Sequence, residues 1–60
     1  MKKVASKDNK TLNITKGKEY EVWTFMEVKG LVLVENNVGD NVIMSKYDFE
    51  DKKEDYYGND

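Results

Sequence analysis

Chemistry at neutral pH needs a base, a nucleophile or a metal ligand, and this chain of 60 residues contains no histidine and no cysteine. The usual general base, the most reactive side-chain nucleophile and the commonest transition-metal ligands are all missing. Arginine is absent too, so the planar fork that grips phosphate or guanine in two places cannot be made. The densest run of carboxylates, Asp48-Phe49-Glu50-Asp51-Lys52-Lys53-Glu54-Asp55, lacks the alternate-residue ligands and central glycine of a calcium loop. On these grounds we expect no enzyme, no catalytic residue, no metal site and no cofactor. What remains is aromatic. Trp23 and Phe25 stand between Glu21 and Glu27, and Tyr56-Tyr57 stand near Glu54, Asp55 and Asp60. Large rings rimmed by charge are the composition of a partner-binding surface, where the ring is desolvated and the charges guide the approach.

The elements that must hold these rings read as strands. From Glu19 to Lys29 the residues alternate, with Tyr20, Val22, Thr24, Met26 and Val28 on one face and Glu19, Glu21, Trp23, Phe25, Glu27 and Lys29 on the other. The first face is the expected core. Trp23 and Phe25 therefore fall on the solvent side, unless a bend or bulge turns them inward to fill the end of a small barrel. Leu31-Val32-Leu33-Val34 is a continuous apolar run suited to a strand covered at least partly on both faces. Glu35-Asn36-Asn37-Val38-Gly39-Asp40 is a hairpin signal, and Asn41-Val42-Ile43-Met44 returns as the partner strand. Ser45-Lys46-Tyr47-Asp48 has the spacing of a capping box around a single helical turn, which would drop Phe49 onto the barrel. The expected packing residues are Tyr20, Val22, Leu33, Val42 and Phe49.

Length and charge bound the rest. Sixty residues support one domain, and without cysteine its stability must come from packing alone. The segment 1–10 is polar and aperiodic and reads as a flexible basic arm; 11–50 reads as the barrel, and 51–60 as an acidic tail carrying Tyr56 and Tyr57. The tail pair reads as an interaction motif, a clasp across the open barrel edge, or disorder. No apolar run approaches a signal peptide or a membrane span, so we expect a cytoplasmic protein with no membrane partner. Six lysines face Asp8 alone before residue 19, whereas eight carboxylates face three lysines after residue 34, for a net charge of −2. That total argues against the strongly basic footprint of a nucleic-acid binder.

The order Ile14-x-Lys16-Gly17-Lys18-x-Tyr20-x-Val22, then an Asn-rich turn with Gly39-Asp40, an apolar strand and Ser45-Lys46-x-x-Phe49, resembles the small SH3-like barrel proteins encoded by phages and prophages of low-GC Gram-positive bacteria. The resemblance covers residues 12–49. It implies an all-β, SH3-like barrel of about five short strands, with a single helical turn near its C-terminal end and a charged tail. Gly17 and Tyr20 would open the first long strand, and Phe49 would close the helical turn. Roles in such proteins are diverse, so the implied function is broad: a non-enzymatic accessory protein that binds and modulates or inhibits a host protein. The expected partner-binding residues are Trp23, Phe25, Glu21, Glu27, Tyr56 and Tyr57. The alternative partner is a nucleic acid, held by the lysine-rich arm and stacked on exposed aromatics. The aromatic-acidic motif and paired tryptophan of polyproline-binding domains are missing, which disfavours that mode. The sequence leaves the oligomeric state open.

Overall fold

Val22 and Val34 are the largest fully buried side chains, and the strand register explains why: Val22 lies opposite Val34, and Val34 opposite Val42. One step along, Val32 and Met44 are aligned in the same way, while Thr24, opposite Val32 at the end of β2, is exposed and not in the core its alternation predicts. With a side-chain period of two, these rows share one face of the sheet, and that face is the core. A fully buried valine contributes about 1.5–3 kcal/mol, so the two rows carry much of the stability of a domain this small.

The structure, a computed structural model, describes residues 1–51. It is all-β. The strands are β1 (Lys2–Ala5), β2 (Glu19–Thr24), β3 (Leu31–Glu35), β4 (Asn41–Ser45) and β5 (Phe49–Asp51), with a 3-10 turn at Lys46–Asp48 between the last two. They form one antiparallel sheet in the order β4-β3-β2-β1-β5. β2 joins its two halves: Glu19, Tyr20 and Glu21 pair with β1, whereas Val22, Trp23 and Thr24 pair with β3. Ala5, Ile14, Tyr20 and Phe49 complete the core, with the Phe49 ring edge-on to Tyr20 at 6.3 Å between centroids.

Several expectations are corrected here. Residues 2–5 are not an arm but the strand between β2 and β5, with Ala5 fully buried opposite Phe49. Only short alternation marks them in the sequence; it is the pairing of Lys2 with Glu21 and of Lys3 with Tyr20 and Asp51 that makes them a strand. β2 ends at Thr24, five residues before the expected Lys29, and Met26 and Val28 lie exposed in the β2–β3 loop instead of in the core. Leu33 is half-buried on the outer face, because the register sends Val32 and Val34 inward. Residues 50 and 51, assigned to the end of the barrel and the start of the tail, belong to β5. The helical turn is as anticipated: Ser45 Oγ accepts from the Tyr47 N–H, and Phe49 follows as a buried residue. Asp48 does not reach back to the cap; its carboxylate lies 3.9 Å from Lys7 Nζ.

Candidate functional site

The outer face of the β2-β3-β4 half carries a row of large apolar side chains. Trp23 lies opposite Leu33, and Leu33 opposite Ile43, so the three cross the sheet in register. Directly opposed side chains stand about 5 Å apart, which makes the row continuous. Trp23 is 43% exposed and Ile43 58% exposed, with Leu33 half-buried between them. Leu31, two residues along β3 and on the same face, is also exposed. Scattered exposed apolar residues are ordinary in any protein, but a row aligned across three strands with a tryptophan at one end is not scattered.

The rim is acidic and partly neutralised. Glu21 precedes Trp23 by two residues on the same face, and its Oε2 accepts from the Met1 amine at 2.7 Å, while Lys2 Nζ lies 3.9 Å from Oε1. The hydrogen bond from that amine holds the Glu21 carboxyl below its ordinary pKa; burial, the next largest influence, pushes the other way, and the charges of the amine and of Lys2 add smaller lowering contributions. Glu35 and Asn41 face each other at the far end of the β3-β4 pair. Glu27 is exposed in the β2–β3 loop, and Phe25, just past the end of β2, is half-buried. The structure thus keeps Trp23 and Glu21 on one surface and puts Phe25 and Glu27 in the adjoining loop. Tyr56 and Tyr57, with the rest of the expected tail, lie outside the described residues.

Sequence reasoning missed Leu31, Leu33 and Ile43 as members of this surface. Their alternation with Val32, Val34, Val42 and Met44 was a readable signal, but which alternate set faces out depends on the register with Trp23, which no single strand contains.

A second surface feature is polar. A pocket of about 270 Å³ is lined by Asp8, Lys10, Asn13, Ile14, Thr15 and Asn37, where the long β1–β2 loop meets the β3–β4 hairpin. Asn37 ties the two loops together: its Oδ1 accepts from Lys18 Nζ at 2.7 Å and from the Tyr20 hydroxyl at 2.8 Å, and its Nδ2 donates to Thr15 Oγ1. Beneath it, Asn36 is buried and donates from Nδ2 to the Leu12 carbonyl, while its Oδ1 accepts from the N–H groups of Val38 and Asp40. These bonds use the side chains' own capacity to hold the loops, which is a structural assignment.

Among the described residues no group of three His, Cys, Asp or Glu could hold a metal ion, and no helix is long and apolar enough to cross a membrane. Three of the four lysines of the expected basic arm lie within ion-pair distance of a carboxylate, Lys2 near Glu21, Lys3 near Asp51 and Lys7 near Asp48. Comparison with known proteins finds no family that matches the chain, and no curated protein or solved structure that matches it.

Proposed function

We propose that the protein is a small non-enzymatic binding module that captures a protein partner on the outer face of its β2-β3-β4 half. The observation that supports this reading is the registered row Trp23, Leu33 and Ile43, exposed at its two ends, half-buried at Leu33 and bordered by acidic side chains. Burying a tryptophan and its aliphatic neighbours supplies the contact energy, and the acidic border favours a partner surface that is apolar at its centre and basic at its edge. Taken with the resemblance of residues 12–49 to phage-encoded small barrels, the reading extends to a cytoplasmic accessory protein that modulates a bacterial host protein by occupying one of its surfaces. The nucleic-acid alternative has less support, since Lys2 and Lys3 of the expected basic arm lie in a strand paired on both sides.

The test is a double substitution on this face, Trp23→Thr with Leu31→Thr. Both side chains are exposed, so the melting temperature should stay close to the parent's, while a partner captured from a Gram-positive lysate by the parent is lost. Capture that survives the double substitution overturns the assignment of this face. Quenching or shift of Trp23 fluorescence by single-stranded DNA at low salt, reversed as salt rises, would replace the protein partner with a nucleic acid.

A further inference from the structure

The two edges of the sheet are built differently. β5, at one edge, is Phe49-Glu50-Asp51, with two charges in three residues and Lys3 paired to Asp51 beside it. β4, at the other, is Asn41-Val42-Ile43-Met44-Ser45, five residues without a charge or a proline. Charged residues, prolines and bulges are the devices that stop an edge strand from pairing with another chain, and β4 has none of them among its five positions.

Its hydrogen-bonding parity can be fixed from the ends of the β3-β4 ladder. Asn36 N–H donates to the Asp40 carbonyl at one end, and Lys46 N–H donates to the Gly30 carbonyl at the other. In an antiparallel ladder, bonded and non-bonded pairs alternate. Counting inward from both ends along the observed register, Val42 and Met44 are bonded to β3 through Val34 and Val32. The N–H and C=O groups of Asn41, Ile43 and Ser45 therefore point to the free edge.

We propose that β4 pairs with β4 of a second copy of this chain, antiparallel, about a two-fold axis at Ile43. This is the register that satisfies the whole edge. Ile43 exchanges both main-chain bonds with Ile43 of the second copy, Asn41 does so with Ser45, and Ser45 with Asn41. Centring the axis on Val42 would leave Ser45 without a partner inside β4, centring it on Met44 would leave Asn41 without one, and centring it on Asn41 or Ser45 would leave two of the three outward-facing residues unpaired. The same register sets Asp40 opposite Lys46 of the second copy, twice over. Neither side chain makes an ion pair among the described residues of its own chain. The charges flanking β4 are thus complementary to themselves under the two-fold, which is what an isologous contact requires. On the outer face the row Trp23, Leu33, Ile43 meets its copy at Ile43, doubling the apolar surface offered to a partner.

An edge of five residues buries less than the roughly 1,200 Å² of a stable complex, so the dimer is reversible and concentration-dependent. Sedimentation velocity of the full chain over a concentration series should show the mass rising from that of one chain toward that of two. Ile43→Lys sets like charges across the axis at an exposed position and should hold the protein at the mass of one chain, with its circular dichroism melt unchanged. Asp40→Lys and Lys46→Asp should each weaken self-association by roughly tenfold, because each turns two exposed pairs repulsive. Mixed together, those two variants should associate again, since each supplies the charge the other lacks. A chain that stays single at all concentrations, an Ile43→Lys variant that still pairs, or charge variants that associate no better mixed than alone would overturn the proposal. Trp23→Thr with Leu31→Thr leaves β4 intact, so loss of partner capture with self-association retained separates this contact from the partner-binding face.

Discussion

The clasp between the β1–β2 loop and the β3–β4 hairpin and the outer face of β2-β3-β4 are both made from residues that a sequence leaves ambiguous, yet they end in opposite states. In the clasp, short polar side chains find partners within the chain: Asn36 reaches Leu12, Val38 and Asp40, and Asn37 reaches Lys18, Tyr20 and Thr15. On the outer face, large apolar side chains are lined up and left in water. A buried polar group that lacked a partner would cost more than its bond returns, so the clasp reads as structure. An exposed tryptophan costs the fold little and gains only when something covers it, so the outer face reads as a contact surface. Polarity alone does not separate the two regions; what separates them is whether a group's interactions are completed within the chain.

The largest effect should come from breaking the clasp. Asn36→Ala leaves the Leu12 carbonyl and the Val38 and Asp40 N–H groups without that side chain, in a position that is 8% exposed. Urea unfolding should show a loss of about 2–3 kcal/mol, a large share of what a domain this small possesses. Tyr20→Phe is the milder control, since it removes only the hydroxyl that accepts from Thr15 N–H and donates to Asn37. An Asn36→Ala chain as stable as the parent would mean that the loops are held by Ile14 and the core alone.

Much of the fold could be read from local signals. Gly39 takes a positive φ of 85° in the Asn-rich turn that the sequence signals, and Ser45 does cap the 3-10 turn. These are decisions made by a few consecutive residues. The errors fall where the decision is made by residues far apart. Lys2–Ala5 looks like a polar arm until Ala5 is set against Phe49, and Leu33 looks like core until Trp23 is set against it. The candidate site was half legible for the same reason: Trp23 and Glu21 could be placed on one face from β2 alone, whereas Leu33 and Ile43 join them only through register. The Asn-rich hairpin was legible as a turn, but nothing local announced that Asn36 and Asn37 would also hold Leu12, Thr15 and Tyr20.

Register itself gives the second prediction, of intermediate size. Val34 is fully buried and Leu33, its neighbour, is half-buried on the other face. Val34→Ala, although it removes less hydrocarbon, should cost about 2 kcal/mol through lost burial and the cavity left behind, and Leu33→Ala about 1 kcal/mol. Paired melting curves check the order. If Leu33→Ala proved the more damaging, the sheet would be facing the other way, and the row with Trp23 would be core.

The smallest effect is electrostatic and belongs to the β1 side, where the two regions meet neither of the extremes above. Glu21 is held below its ordinary pKa first by its hydrogen bond from the Met1 amine, and Asp51 first by its hydrogen bond from Lys3. A carboxyl whose pKa is lowered by folding stabilises the folded state while it is ionised. Its contribution is complete above the unfolded pKa, near pH 4, and is lost as pH falls through the lower folded value. Asp51 is well exposed and Glu21 half-buried at the surface, so solvent and salt screen both and the effect is slight. Thermal melts between neutral pH and about pH 3 should therefore fall a little more steeply for the parent than for Glu21→Gln with Asp51→Asn, and the difference should shrink in high salt. Curves that fall in parallel would assign the acid sensitivity of this fold to other carboxylates. The strand Lys2–Ala5 would then be held in the sheet by its ladder and by Ala5 against Phe49, without help from the charges at its end.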